Sequence, residues 1–401
     1  MFYGDLSRSV VAFALVACLA AVSIAASSRS GLLSQDQAAA NVETTLVPRP
    51  AVPMTAVDET PEQSETDPIA LPAQGLARVD TESQLPATTP ATEPDDPYAW
   101  LATVPVSGRT FVGVTTDNGL ADEVADFSAA ADINPDVVMI SRGWANATPD
   151  IAVIERVTAA GHLPVLAWEP WNFEVESTFD RRRGEQPDFA LSTILAGDHD
   201  ELINGWAEEL AEWGRPVGIR FAHEMNGYWY PWSESVNGNA TGQYVAAWRY
   251  VYDVFEAAGA DNVIWIWSPN PTQPTLIPLA GLYPGDDYVD WIGIVGYLGN
   301  GVNPATYVPT FDQLFGPTIA EIREFSDLPL VITEIGATED GGKKAEWIAH
   351  VLDAIDQRQD IIGFIWFEIN KETDWRIVSS VEASEAFRTG LANGNFGIPR
   401  T

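Results

Sequence analysis

The sequence predicts an α/β fold of the (β/α)8 TIM barrel class, and three observations support this prediction. Eight short apolar runs follow one another, and most lack sustained polar alternation, which is typical of parallel strands buried on both faces. Segments with helical spacing, such as 200–214, 242–258 and 343–357, separate them. Polar and aromatic residues follow most of the runs, whereas a doubly wound open sheet, the competing fold, concentrates its site at one switch point. The eight predicted strands are 111–116, 137–144, 163–168, 217–226, 263–270, 291–297, 330–336 and 361–370.

The predicted barrel domain occupies residues 98–401. All fifteen tryptophans lie from Trp100 onward, and about 300 residues is an ordinary size for this class of barrel. Residues 28–97 contain no Phe, Trp or Tyr and are rich in Pro, Thr, Ala and acidic residues. Such a segment cannot bury enough apolar surface to offset its ordering entropy, so we predict a disordered linker.

Residues 1–27 are predicted to be a secretory signal peptide or a membrane anchor. The apolar stretch 10–26 follows Arg8, and its length lies between a signal-peptide core and a short membrane span. Cys18, the sole cysteine, ends a segment that loosely resembles a lipoprotein cleavage site, but the residues after it stay hydrophobic. We therefore expect an extracellular protein that is secreted or tethered to the cell surface, with no disulfide in the mature chain.

The formal net charge is −36, and the chain has only three lysines. A surface of this sign repels phosphate backbones and anionic lipid head groups, so nucleic acid and polyanionic glycans are poor partners. A neutral substrate is favoured, and the general explanation for the acidity is solubility. We expect the chain to be a monomer.

Four glutamates stand at or just beyond the ends of predicted strands. Because barrel strands bring their carboxyl ends to one face, glutamates far apart in the sequence can act on a single sugar ring. A retaining glycosidase needs one carboxylic acid to protonate the leaving oxygen and one carboxylate to attack the anomeric carbon. Each glutamate alone could equally pair with an arginine or cap a helix. The four are Glu169, Glu224, Glu334 and Glu368.

Strand alternation predicts which residues share a face with these carboxylates. On the fourth strand, two small residues would leave room for an arginine and a glutamate inside the barrel. On the eighth strand, an aromatic floor would lie beside a supporting carboxylate. The predicted sets are Gly218, Arg220, Ala222 and Glu224 on the fourth strand, Ile332 and Glu334 on the seventh, and Trp366 and Glu368 on the eighth.

Aromatic residues are concentrated near the strand ends, where flat sugar faces could stack on them, and we expect about half of them to face the cleft. No metal and no cofactor is predicted. The four histidines lack metal-ligand spacing, and the chain has neither a Gly-x-Ser-x-Gly elbow nor a Gly-rich phosphate loop. The aromatic residues are Trp144, Trp168, Trp171, Trp229, Tyr230, Trp232, Trp267, Tyr297, Trp366 and Trp375.

The segment 220–232, RFAHEMNGYWYPW, resembles the acid/base motif of glycoside hydrolase family 26, which is best known for endo-β-1,4-mannanases. The segments ILAGDHD at 194–200 and ITEIG at 332–336 are also similar to that family. The resemblance covers about residues 106–390. It implies a member of clan A of the retaining glycosidases, with catalytic glutamates after strands 4 and 7.

By this resemblance, Glu224 is the general acid/base and Glu334 is the nucleophile. His223 would contact the bound sugar, and Tyr297 would hydrogen-bond the nucleophile. The resemblance makes Trp229 and Trp366 aromatic sugar platforms. The other residues that we predict to bind substrate are Trp168, Trp171 and Arg220.

The expected function is that of a secreted endo-β-glycanase acting on a neutral β-linked polysaccharide, with β-1,4-mannan placed first. Mixed-linkage β-1,3-1,4-glucan and β-1,3-xylan stay open, because the continuation of strand 3 as Glu169-Pro170-Trp171 resembles several branches of the family. A catalytically inactive carbohydrate-binding protein and a transglycosylase are the other readings of the same residues.

Overall fold

The structure is a computed structural model that describes residues 98–104, 107–117, 121–145, 148–173, 185–273, 276–299 and 308–399. Eight parallel strands in sequence order form a closed barrel, which confirms the predicted (β/α)8 class. The predicted signal peptide and linker lie in residues 1–97, outside the described residues. The strands are β1 Phe111–Thr115, β2 Val137–Gly143, β3 Leu163–Glu169, β4 Val217–Phe221, β5 Val263–Trp267, β6 Trp291–Leu298, β7 Leu330–Ala337 and β8 Ile361–Phe367.

Helices connect the strands and pack around the barrel. The predicted helical segments correspond to α4, α5 and α8 below. No helix among the described residues is both long and apolar enough to cross a membrane. The helices are α1 Ala121–Ala131, α2 Ile151–Ala159, α3 Leu191–Ala196, α4 Asp200–Trp213, α5 Gln243–Ala258, α6 Phe311–Leu314, α7 Gly316–Ile322, α8 Lys344–Asp356 and α9 Val381–Asn393, with 3-10 turns at Ala99–Ala102, Pro187–Phe189, Leu279–Gly281, Asp286–Tyr288 and Ile377–Ser379.

Side chains along each strand point either into the barrel or outward to the helices, and each side forms an apolar layer. The inner cluster fills the barrel and includes Phe111, Met139 and Val165, together with residues of the N-terminal 3-10 turn. The outer cluster joins strand residues such as Phe221 and Ile332 to the surrounding helices. Both faces of every strand are therefore covered, which explains why the strand sequences show no clean alternation.

The lower part of the barrel interior is a packed core. Phe111 is fully buried, and its ring centroid lies 5.5 Å from that of Trp291. A Cβ at Gly363 would lie 2.2 Å from the Phe111 ring, so this position must be glycine for the two strands to close. Burying one such aromatic side chain contributes about 1.5–3 kcal/mol. Because side chains fill this part of the barrel, a binding or catalytic site is expected at the carboxyl ends of the strands.

Candidate active site

A cavity of about 60 Å³ lies at the carboxyl ends of the strands. The structure brings Glu224, Glu334, His223 and Arg220 together there, as the sequence analysis expected of one site. Another of the four strand-end glutamates, Glu169, also lines this cavity. The lining residues are Thr115, Met139, Ser141, Glu169, Arg220, His223, Glu224, Tyr230, Glu334, Phe367, Ile369 and Lys371.

Glu224 is placed by an unusual turn rather than by strand alternation. Strand β4 ends at Phe221, and both Ala222 (φ 42°) and Glu224 (φ 54°) adopt the left-handed conformation. That conformation costs a non-glycine residue of order 1–3 kcal/mol and is found mainly at functional sites. The Glu224 N–H donates to the Ser268 carbonyl at 2.7 Å, which helps to hold the turn. Arg220 and Glu224 both line the cavity, as alternation predicts, but Ala222 belongs to the outer cluster, so the predicted shared face is wrong for Ala222.

Glu334 is aimed into the cavity by a bulge in β7. Ile294 of β6 pairs with Ile332, but the next residue, Val295, pairs with Glu334, so β7 carries one extra residue at Thr333. Ile332 consequently belongs to the outer cluster, while Glu334 lines the cavity. The prediction that Ile332 and Glu334 share a face is wrong, because a bulge shifts the alternation by one residue.

Both carboxylate oxygens of Glu334 are hydrogen-bonded. Arg220 Nη1 donates to Oε1 within a buried ion pair, and the Tyr297 hydroxyl donates to Oε2 at 2.5 Å. Burial and the Glu334 charge raise the pKa of Tyr297 well above its ordinary value, so the phenol stays a proton donor. Both Glu334 oxygens are therefore held by fixed donors, one of them a guanidinium.

Glu224 has different surroundings. Trp229 Nε1 donates to its Oε2 at 2.9 Å, and the carboxyl group is almost fully buried. Burial, followed by repulsion from Glu334, raises the pKa of Glu224 to about 8, although Arg220 opposes this shift. Glu224 therefore carries its proton at neutral pH. Trp229 can fold back onto it because residue 227 is glycine, since a Cβ there would lie 2.6 Å from the indole.

His223 lies beside an aromatic wall, which consists of Trp171 after β3 and of Tyr230 and Trp232 after β4. Its ring is 5.2 Å from that of Tyr230, which stacks on Trp232 at 4.3 Å. Trp232 Nε1 donates to the His223 carbonyl at 2.7 Å. Burial and the charges of Arg220 and Lys371 hold the pKa of His223 well below its ordinary range, so the imidazole is neutral. A neutral ring can exchange hydrogen bonds with a sugar hydroxyl.

Two predicted substrate-binding tryptophans lie outside the cavity. Trp168 is on the outer face of β3 and packs against Trp206 of α4 and Phe255 of α5. Trp366 is on the outer face of β8, where its ring contacts Phe387 of α9 at 5.2 Å. Both are buried in the outer cluster, so neither can be a sugar platform and these two predictions are wrong. Trp171, by contrast, contacts the aromatic wall and donates from Nε1 to Glu169 Oε2 at 3.0 Å.

Glu368 shares a face with Trp366 as predicted, but that face is the outer one. Its Oε2 accepts a hydrogen bond from the Ile377 N–H at 2.7 Å, and burial raises its pKa to about 7. Nearby, Lys344 donates to the Arg376 carbonyl at 2.7 Å. Glu368 therefore supports the segment between β8 and α9 and does not line the cavity.

Three further residues line the cavity that were not predicted to bind substrate, namely Glu169, Tyr230 and Lys371. Glu169 and Tyr230 carried a signal, since the first is a strand-end glutamate and the second follows the acid within the aromatic segment. Lys371 is one of three lysines in the chain and lies four residues beyond the end of β8. Nothing in its local sequence distinguished it.

A closed (β/α)8 barrel with two buried glutamates at the carboxyl ends of β4 and β7 defines the class of a barrel glycoside hydrolase. The model of glycosyl hydrolase family 26 matches residues 129–359, more than half of the chain. The chain therefore belongs to glycosyl hydrolase family 26.

Three known proteins illustrate what the chain is similar to. Endoglucanase H of Acetivibrio thermocellus is 35% identical over 242 residues, which are 59% of this chain and 25% of that protein. A β-1,3-xylanase of a Vibrio species is 27% identical over 202 residues, 46% of this chain and 42% of that protein. A family 26 β-mannanase from Bacteroides ovatus superposes with a TM-score of 0.57 at 17% identity over 76% of this chain and 95% of its own, which shows the shared fold. The chain spans a quarter to less than half of the two curated relatives.

Proposed function

We propose that the protein is a retaining endo-β-glycanase in which Glu334 is the nucleophile and Glu224 is the general acid/base. The observation that carries the proposal is the difference between the two carboxyl groups. Arg220 and Tyr297 donate to the two oxygens of Glu334, whereas burial and the nearby Glu334 raise the pKa of Glu224 to about 8. Retaining hydrolysis needs one carboxylate and one carboxylic acid across a single bond.

In the first step, the ionised Glu334 attacks the anomeric carbon while Glu224 gives its proton to the leaving oxygen. The glycosidic C–O bond breaks and a covalent glycosyl–Glu334 ester forms. Once Glu334 is esterified, its negative charge, which together with burial raised the Glu224 pKa, is gone. Glu224, now ionised, can then deprotonate a water molecule that releases the sugar with retained configuration.

The substrate that we propose is a neutral β-linked polysaccharide. The resemblance of the segment 220–232 to the family motif places β-1,4-mannan first. The likeness to endoglucanase H, at 35% identity, favours a β-glucan over mannan and over β-1,3-xylan. Both glucan and mannan lack charged groups, which suits a chain of net charge −36.

Export and a monomeric state complete the proposal. The proposed export rests on the apolar stretch and the linker composition within residues 1–97. Comparing the protein in the medium with that in the cell fraction, and measuring its mass in solution, tests these two points.

The direct test is release of reducing sugar by the full-length protein from mannan, galactomannan, barley β-glucan and β-1,3-xylan. Glu334→Gln is the inactive variant, and Glu346→Gln on the exposed face of α8 is the matched control. Proton NMR of the first product should show the β-anomer before mutarotation. First formation of the α-anomer would overturn the retaining mechanism, and binding without cleavage of any polymer would favour a carbohydrate-binding protein.

A further inference from the structure

A third carboxyl group lines the catalytic cavity and has no part in the mechanism above. Glu169 is the last residue of β3, where it pairs in register with Gly143 of β2. Its side chain is only 3% exposed, and it lines the same cavity as Glu224 and Glu334. Double displacement uses two carboxyl groups, so the presence of Glu169 needs a separate explanation.

The position of Glu169 is rigidly defined. Trp171 Nε1 donates to its Oε2 at 3.0 Å, and the Trp171 ring is itself held edge-on against Tyr230 and Trp232. The Glu169 backbone carbonyl accepts hydrogen bonds from the N–H groups of Trp144 and Trp171. A side chain fixed in this way is already oriented before any ligand binds.

A buried carboxyl group at position 169 lowers the stability of the fold if it serves only a structural purpose. Burial raises its pKa to about 7, although Arg220 and the Ser141 hydroxyl favour the charged form. A carbonyl or amide oxygen could accept the Trp171 hydrogen bond without placing another acidic group in the cavity. Hydroxyl donors from a ligand would offset this cost, because hydrogen bonds to a carboxylate are roughly twice as strong as neutral ones.

We propose that Glu169 is a substrate-binding residue that accepts a hydrogen bond from a hydroxyl of the sugar ring held between Glu224 and Glu334. This inference rests on the proposed glycanase function. It specifies the ligand further, because a carboxylate at this position accepts a hydrogen bond from a hydroxyl-bearing ring. Lys371, which lines the same cavity, supplies a cationic donor for other ring oxygens.

Three variants of the full-length protein test the proposal. Glu169→Gln keeps an oxygen that can accept from Trp171 but removes the charge. Trp171→Phe keeps the carboxylate and removes the N–H donor, and Glu169→Ala removes both interactions. We measure kcat/KM on the polymer that the wild type cleaves fastest, together with Tm.

The expected result is a loss of about ten- to a hundredfold in kcat/KM for Glu169→Gln, with a smaller loss for Trp171→Phe. The Tm of Glu169→Gln should be no lower than that of the wild type, because burial raises the pKa of Glu169 in the folded protein. The reverse order, with Glu169→Gln near wild type and Trp171→Phe and Glu169→Ala impaired, would show that Glu169 serves only to hold Trp171. That order would overturn the inference and leave the proposed function intact.

A wild type that cleaves none of the four polymers would contradict the proposed function, and calorimetry then decides the inference separately. The probes are β-1,4-mannotetraose, cellotetraose, a mixed-linkage glucotetraose and β-1,3-xylotetraose. Binding that is weakened about tenfold or more by Glu169→Gln supports a substrate-binding role. Equal affinity of the two proteins, or no binding by either, overturns it.

Discussion

The ends of β4 and β7 each present one buried glutamate to the same cavity, but the two ends are built differently. The β7 end surrounds Glu334 with a cation and a phenol, and a bulge turns its side chain inward. The β4 end buries Glu224 against an indole and turns it inward with left-handed backbone. The comparison teaches that identical side chains are suited to different chemical roles when their burial and hydrogen-bond partners differ.

The largest effect should come from removing the nucleophile at the β7 end. Glu334→Gln should lower kcat by roughly 10⁴-fold or more, because no other group can form the covalent intermediate. Far-ultraviolet circular dichroism should be unchanged. Turnover close to that of Glu346→Gln, the exposed control, would remove Glu334 from the nucleophile role.

At the β4 end, Glu224→Gln should lower kcat on a polysaccharide by about 10²–10⁴-fold, because general acid/base catalysis is lost. The first step should be spared on a dinitrophenyl glycoside, whose leaving group needs no proton. Pre-steady-state release of dinitrophenol measures this directly, as a fast burst followed by slow turnover. A variant that loses the burst as well would not have lost an acid.

In the wild type, kcat/KM should fall as the pH rises through about 8, where Glu224 loses the proton that the first step needs. A fall that begins near the ordinary glutamate pKa would show that Glu224 is not held protonated. Rates on the dinitrophenyl glycoside, measured over the same pH range, provide the comparison, since that leaving group does not depend on the acid.

The supporting tyrosines of the two ends form a matched pair. Tyr297→Phe removes a hydrogen bond to a charged oxygen and should lower kcat/KM about ten- to a hundredfold. Tyr244→Phe removes a bond from the Tyr244 hydroxyl to the Ala222 carbonyl, 3.2 Å away, and should cost less than about tenfold. Equal losses in the two variants would contradict the difference between the ends.

The smallest effect should be on stability. Because the folded protein raises the pKa of Glu224 to about 8 from an ordinary value of 4.5, the proton is bound more tightly in the folded state than in the unfolded state. The stability from this group is complete below about pH 4.5 and is lost as the pH rises through about 8. Glu224→Gln should therefore gain at least about 2 °C in Tm relative to wild type between pH 5 and pH 8. Comparing the two proteins cancels the pH effects of the other charges.

Much of the barrel was predictable because its signals are local. Eight apolar runs bounded by polar residues identified all eight strands, and the segment around Glu224 identified the family. Cavity neighbours such as Lys371 were not predictable, because only the closure of β8 beside β1 brings them to the site.

The sequence by itself determined the order of strands and helices, and it pointed to Glu224 and Glu334 as the catalytic pair that we propose. Only the tertiary structure decided which way the side chains point. In strands that are buried on both faces, the inner and outer residues are equally apolar, so the sequence does not reveal the face of Trp168 or Trp366. One bulged residue in β7 changes the direction that alternation predicts for Ile332, and left-handed backbone after β4 changes it for Ala222, because a local change in backbone angles shifts the alternation of the side chains.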